Sequence, residues 1–180
     1  MKALVLAEYG RFVLEDRPVP QPGPGEVLVR VRACAICGSD VHGLDGRTGR
    51  RIPPIVMGHE AAGEIAAVGN PAEGSVGTAA WRPGDRVTFD STIYCGACEP
   101  CRQGRINLCD HRRVLGVSCA EYRQDGAFAE YVVVPARILH RLPDAVSFVQ
   151  AALVEPLAVA LHAVRRAPLR PGDAVAVVGA

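Results

Sequence analysis

Five residues in the first third of the chain have types and spacing that could do chemistry: Cys37, Ser39, His42, His59 and Glu60. They fall in two runs, Cys37-Gly38-Ser39-Asp40-Val41-His42 and Gly58-His59-Glu60-Ala61-Ala62-Gly63. A thiol, an imidazole and a carboxylate form a mixed S/N/O donor set. Such a set suits Zn2+ held by three protein ligands with one open position. Ser39 and His42 flank the thiolate and could carry a proton away. Taken singly, these residues read more simply as a buried thiol, a core imidazole and a surface carboxylate. A second zinc signature downstream tips the set towards metal.

That signature is Cys95, Cys98, Cys101 and Cys109, spaced C-x2-C-x2-C-x7-C. Short spacings let successive thiolates turn inward on one ion, and four thiolates leave no open position, so this ion is structural. It would hold a lobe, residues 94–111, that has no hydrophobic period of its own. An iron–sulfur cluster is the competing reading, because C-x2-C-x2-C also opens ferredoxin motifs, but nothing else here resembles a ferredoxin. Arg102, Arg105, Arg112 and Arg113 flank the lobe and raise the question of a nucleic-acid reader. The near-neutral chain and the lack of a recognition helix between ligand pairs speak against it. Cys34 makes a C-x2-C pair with Cys37, without the βαβ context of a redox motif. Cys34 and Cys119 are expected to be ordinary thiols, open to alkylation while the other five are shielded.

The 180 residues carry a net charge of +1, with 49% hydrophobic and 22% charged residues. That is an ordinary globular composition, with no footprint for nucleic acid or a membrane surface. The first residues form too short an apolar run for a signal peptide, and the apolar stretch at 151–164 is broken by Glu155, Pro156 and His162. Seven cysteines is an odd number, and four of them cluster at metal-ligand spacing. A reducing, cytoplasmic setting with thiolates on zinc is therefore expected rather than disulfides.

Short strands must position these groups. Strands are expected at 2–7 and 12–16 around the Tyr9-Gly10-Arg11 turn, at 86–89, within 126–135 and at 138–142. Residues 26–33 alternate, Val27, Val29, Val31 and Ala33 against Leu28, Arg30 and Arg32, which predicts a half-buried strand leading into Cys37. Gly63 and Gly69 mark bends or close backbone approaches. Residues 70–82 read as a surface loop holding Trp81. Many short strands with Gly/Pro turns argue for a β-barrel domain to about residue 145. Ser147 then caps a helix over 148–166, which Pro156 kinks or splits. Residues 174–178 form an apolar β run ending at Gly179.

Together these motifs resemble the zinc-dependent medium-chain dehydrogenase/reductase family, which includes alcohol, polyol and threonine dehydrogenases. The resemblance extends over essentially the whole chain. It implies a mainly β fold: a GroES-like β-barrel catalytic domain (1–146) with a structural-zinc lobe. A C-terminal linker helix and the truncated start of a Rossmann domain (147–180) would follow. Carried over, Cys37, His59 and Glu60 would be ligands of a catalytic zinc, and Cys95, Cys98, Cys101 and Cys109 of a structural one. Glu155 would stand where classical alcohol dehydrogenases have a ligand cysteine, reaching the metal directly or through water as in the sorbitol and threonine branch. Asp40 would hold the second ring nitrogen of His59, and Ser39 and His42 would relay the proton. His111, His140 and His162 receive no role.

The activity implied is oxidation of a secondary alcohol or polyol, with two Zn2+ per chain and hydride passing to NAD(P). Full-length family members are usually homodimers or homotetramers. The chain departs from the pattern at its end, where only Gly179 of a dinucleotide fingerprint is present. The 180 residues are therefore expected neither to bind NAD(P) nor to turn over alone, with the 175–178 tail disordered or paired to another chain. The 70–82 loop is longer than usual for the family. The alternative reading is a non-enzymatic zinc-binding interaction module.

Overall fold

The structure is a computed structural model that describes residues 1–71 and 78–178. Its architecture is mainly β. The strands run β1 (Lys2–Glu8), β2 (Arg11–Asp16) and β3 (Glu26–Ala35), then helix α1 (Gly38–Leu44), β4 (Ile55–Val56), β5 (Glu60–Val68), β6 (Arg86–Phe89) and β7 (Thr92–Ile93). The lobe carries a short turn of helix, α2 (Glu99–Arg102), and a 3-10 turn at Ile106–Leu108. Strands β8 (Arg113–Val114), β9 (Val117–Ser118), β10 (Arg123–Gln124), β11 (Tyr131–Pro135) and β12 (Leu139–Arg141) follow, and helices α3 (Phe148–Ala152) and α4 (Val154–Arg166) close the chain.

Two sheets carry the fold. One has the order β2-β1-β4, the other β11-β3-β5-β6-β12, and the pairings of both are antiparallel. The segment before β11 joins them: Leu4 N donates to Phe128 O at 2.8 Å, and Val31 N to Glu130 O at 2.9 Å. The sheets thus meet along an edge in a barrel-like arrangement, with Val27, Val29, Ile65, Val87, Leu115, Val134 and Ile138 in the main core. The alternation expected for β3 holds at Arg30 and Arg32. It fails at Leu28, which is buried as well, because this half of a central strand is covered on both faces.

Gly63 and Gly69 are close approaches, as their sequence context suggested. A Cβ on Gly63 would stand 2.0 Å from Arg30 O, and one on Gly69 2.0 Å from Gly23 O. Trp81 differs from expectation: it packs on the core, with Arg141 stacked 4.8 Å above its ring. Part of the predicted 70–82 loop, 72–77, lies outside the described residues, as does Gly179.

Ser147 caps α3 as expected. Its Oγ accepts from Gln150 N at 3.2 Å, and Gln150 Oε1 accepts from Ser147 N at 2.9 Å. The predicted helix 148–166 is split at Leu153, three residues before Pro156, which then sits harmlessly in the first turn of α4. Ala151 and Ala152 of α3 are buried, with Ala151 packed among Ala62, Leu142, Val146 and Phe148. No residue of α4 is buried. Residues 174–178 form no strand and are exposed, for want of a neighbouring strand to pair with. Among the described residues no helix is long and apolar enough to cross a membrane.

Candidate metal centres

The mixed site is made by a strand register. In the β3–β5 ladder, Ala35 faces Glu60. Cys37 lies two residues beyond Ala35 and His59 one before Glu60, so the pairing brings the ends of both strands together. A slip of one residue would turn Glu60 to the opposite face. Gly58, at φ +91°, makes the bend into His59, and a Cβ there would strike Phe128. The result is a thiol, an imidazole nitrogen and a carboxylate oxygen, from Cys37, His59 and Glu60, all within 4.8 Å of one another. His59 and Glu60 are buried, and Cys37 is half-buried.

Cys37 also caps α1. Its backbone N–H donates to Asp40 Oδ2 at 3.1 Å. The other oxygen of this buried carboxylate stands 3.6 Å from His59 Nδ1. Neither atom has a closer hydrogen-bond partner. Burial alone would lower the His59 pKa, but the Asp40 carboxylate outweighs it and the net shift is upward. The donor set fits a cation of the zinc type. Nδ1 faces an anion, which favours the tautomer that leaves the second ring nitrogen free as a ligand.

Ser39 and His42 lie one turn apart on α1, Ser39 half-buried and His42 exposed. Ser39 Oγ accepts from Arg51 Nη2 at 3.4 Å. Glu155 is not part of the group that converges. It lies in the first turn of α4, where Ser91 Oγ donates to its Oε1 at 3.4 Å. Burial raises its pKa, the charge of His59 lowers it, and nearby Glu60 raises it again, for a net rise. Glu155 is thus an electrostatic neighbour of the mixed site. Sequence reasoning missed Ser91 and Arg51. Both sit in irregular segments whose local pattern says only "loop", and nothing short of the tertiary fold brings them here.

The second centre is local. Cys95, Cys98, Cys101 and Cys109 also lie within 4.8 Å of one another. Cys98 Sγ is 3.8 Å from Cys109 Sγ, and Cys95 Sγ is 4.0 Å from Cys101 Sγ. Four sulfurs tetrahedrally placed about 2.3 Å from zinc would be about 3.8 Å apart, so the cage has the right size. All seven cysteines are free thiols. Backbone amides of Ala97 and Cys98 donate to Cys95 Sγ and bring its pKa down to about 6, so it is largely thiolate at neutral pH. Between residues 95 and 111 only Cys109 is buried, so no apolar core holds the lobe. Arg102 and Arg112 donate to the lobe's own carbonyls, Ala97 O and Asn107 O, both at 2.9 Å. These arginines brace the loop.

Cys34 corrects one expectation. Burial, with the Asp40 charge next, pushes its thiol up to about 12, so it is protonated at neutral pH and a poor nucleophile. His111, His140 and His162 are exposed.

Comparison with known proteins gives the family. The model of the alcohol dehydrogenase GroES-like domain matches residues 23–144. Sorbitol dehydrogenase of Bacillus subtilis strain 168 is 39% identical over 99% of the chain, which covers 49% of that protein. The crystal structure of 2R,3R-butanediol dehydrogenase from Bacillus subtilis superposes with a TM-score of 0.77 at 35% identity, over 96% of this chain and 49% of that one. A short chain alcohol dehydrogenase from E. coli CFT073, complexed with NADH, gives 0.78 at 37% identity, over 92% and 45%. The chain therefore spans about half the length of the proteins it matches. With two-thirds of its length under the GroES-like model, this chain belongs to the zinc-dependent medium-chain dehydrogenase/reductases.

Proposed function

We propose that the chain is the catalytic part of a zinc-dependent alcohol or polyol dehydrogenase, which oxidises a secondary alcohol and passes hydride to NAD(P). The observation that carries this reading is the convergence of Cys37, His59 and Glu60 beneath a helix that bears Ser39 and His42. Residues 1–146 would form the catalytic domain, and 147–180 the lead into a nucleotide-binding domain. Glu155, held by Ser91, would join the zinc directly or through water. Zinc bound here supplies Lewis acidity that lowers the pKa of a substrate hydroxyl towards neutrality.

The chain's own residues do the rest. Ser39 takes the hydroxyl proton, and His42, exposed one turn further on, hands it to solvent. Asp40 holds the His59 ring. The buried carboxylate of Glu60 and the half-buried one of Glu155 line the pocket, which favours a cation there. Cys95, Cys98, Cys101 and Cys109 would hold a structural zinc that shapes the lobe. The resemblance to sorbitol and butanediol dehydrogenases points to a polyol or vicinal diol. Seven free thiols suit the cytoplasm, and the relatives' family habit suggests a homo-oligomer.

The test is metal analysis of the purified chain. Two zinc per chain are expected, with one lost in Cys37→Ala. A single zinc held by the lobe would instead favour a non-enzymatic zinc module. In an enzyme that also carries the nucleotide-binding domain, Ser39→Ala is expected to slow alcohol oxidation by about two orders of magnitude at neutral pH, and an unchanged rate would remove Ser39 from the relay.

A further inference from the structure

Arg51 is a charged side chain that the mechanism above does not use, yet only 5% of it is exposed. A buried guanidinium needs an anion and filled donor positions. Its one carboxylate within 4.0 Å, among the described residues, is Asp40: Nη2 stands 3.7 Å from Oδ1. The same Nη2 donates to Ser39 Oγ at 3.4 Å, and Nη1 donates to Arg50 O at 3.0 Å. Nε has no partner. The backbone of Arg51 is fixed by a parallel bridge to Ser118, a wholly buried residue. The head group therefore reaches α1 from a strand-anchored base outside the ligand-bearing runs.

Asp40 is the hub. Its Oδ2 accepts from Cys37 N, which sets the turn that presents the thiol. Its Oδ1 is shared between His59 Nδ1 at 3.6 Å and Arg51 Nη2 at 3.7 Å. A carboxylate that faces two such groups at once cannot rotate freely, and the guanidinium on its far side holds it in place.

We propose that Arg51 is a positioning residue of the mixed site, whose buried guanidinium fixes Asp40 and Ser39 so that Asp40 orients His59 for the metal. The proposal rests on the zinc reading given above. Arg51 touches neither metal nor substrate. It acts through Asp40 on the ligand and through Ser39 on the proton acceptor.

The experiment uses the 180-residue chain, with Co2+ and Zn2+ as probes. Cobalt absorption separates a four-thiolate site from a one-thiolate site by the intensity of the charge-transfer band and the position of the visible bands. Arg51→Met keeps an unbranched apolar stem and removes the guanidinium and its charge. The expected result is cobalt binding at the mixed site about 10- to 100-fold weaker, with shifted visible bands, while the four-thiolate signal is unchanged. Arg51→Lys should restore part of the affinity. In an Asp40→Asn background, Arg51→Met should add little further loss, because the group it acts through is gone.

Unchanged affinity and bands in Arg51→Met overturn the proposal, as does the full additional loss in the Asp40→Asn background. Should Arg51→Met lose both sites together, Arg51→Lys decides: normal binding at both sites overturns the proposal, and weakening at the mixed site alone supports it. A wild-type chain that takes up cobalt only at the four-thiolate site overturns the zinc reading, and this inference with it.

Discussion

Gly43 leaves room for Arg51. A Cβ on Gly43 would come within 2.3 Å of Arg51 Cγ and 3.2 Å of its Cβ, so the arginine stem crosses α1 where the helix has no side chain. Glycine inside a helix ordinarily costs up to about 1 kcal/mol relative to alanine. Here the sign should reverse. Gly43→Ala is expected to destabilise the chain by about 1–3 kcal/mol, by overpacking against a stem that cannot swing away. Urea unfolding of the metal-loaded protein measures it, and a stabilised variant would contradict the packing described.

Asp85 and Arg141 give a pH signature away from both metal centres. Arg141 Nη1 approaches Asp85 Oδ1 at 2.6 Å, and Arg82 N donates to Oδ2 at 2.9 Å. Hydrogen bonds from Arg141, and then from the Arg82 amide, hold the carboxyl below its ordinary value. A depressed folded-state pKa stabilises above the unfolded value, near 3.9, and that stabilisation is lost as pH falls through the lower folded value. Asp85→Asn should therefore melt below wild type at pH 5–7. The gap should narrow as the pH drops under about 4. Acid loss of metal affects both proteins alike and cancels in the difference.

Alkylation separates Cys34 from Cys119. With its pKa at about 12, Cys34 is almost wholly protonated at pH 8. Iodoacetamide on the folded, zinc-loaded chain should modify Cys34 at least about a hundredfold more slowly than Cys119. Mass spectrometry of peptides over a time course reads this. Equal rates would mean that desolvation and the Asp40 charge do not hold the Cys34 thiol protonated.

Arg86 ties the barrel to α3. It donates to Pro143 O and Asp144 O, each at 3.1 Å, and to Val146 O, and its guanidinium lies 4.7 Å from the Phe148 ring centroid. Arg86→Ala removes these charge-assisted bonds and the ring contact together. A loss of about 1–3 kcal/mol is expected, with faster proteolysis between residues 143 and 147. Arg86→Lys should recover less than half, since an ammonium cannot span three carbonyls in one plane.

Much of the candidate chemistry was legible from local order. The four lobe cysteines are within fifteen residues of one another, so backbone turns alone can gather them, and their spacing already specifies a closed thiolate cage. The Ser147 cap, the break before Pro156 and most of the strands follow from residue preferences acting over a few positions. The mixed site was legible as a set of residue types, and not as a place. The pairing of Ala35 with Glu60, which makes Cys37 and His59 neighbours, depends on hydrogen bonds between strands distant along the chain. The burial of Leu28, the packing of Trp81 against the core, the placement of Glu155 beside Ser91, and the passage of Arg51 beneath α1 are likewise consequences of packing. Sequence determined which groups could bind a cation and relay a proton, because that is a property of the side chains themselves. Tertiary structure alone decided which groups meet and which buried charge stands behind them, because burial and long-range register depend on every element that covers them.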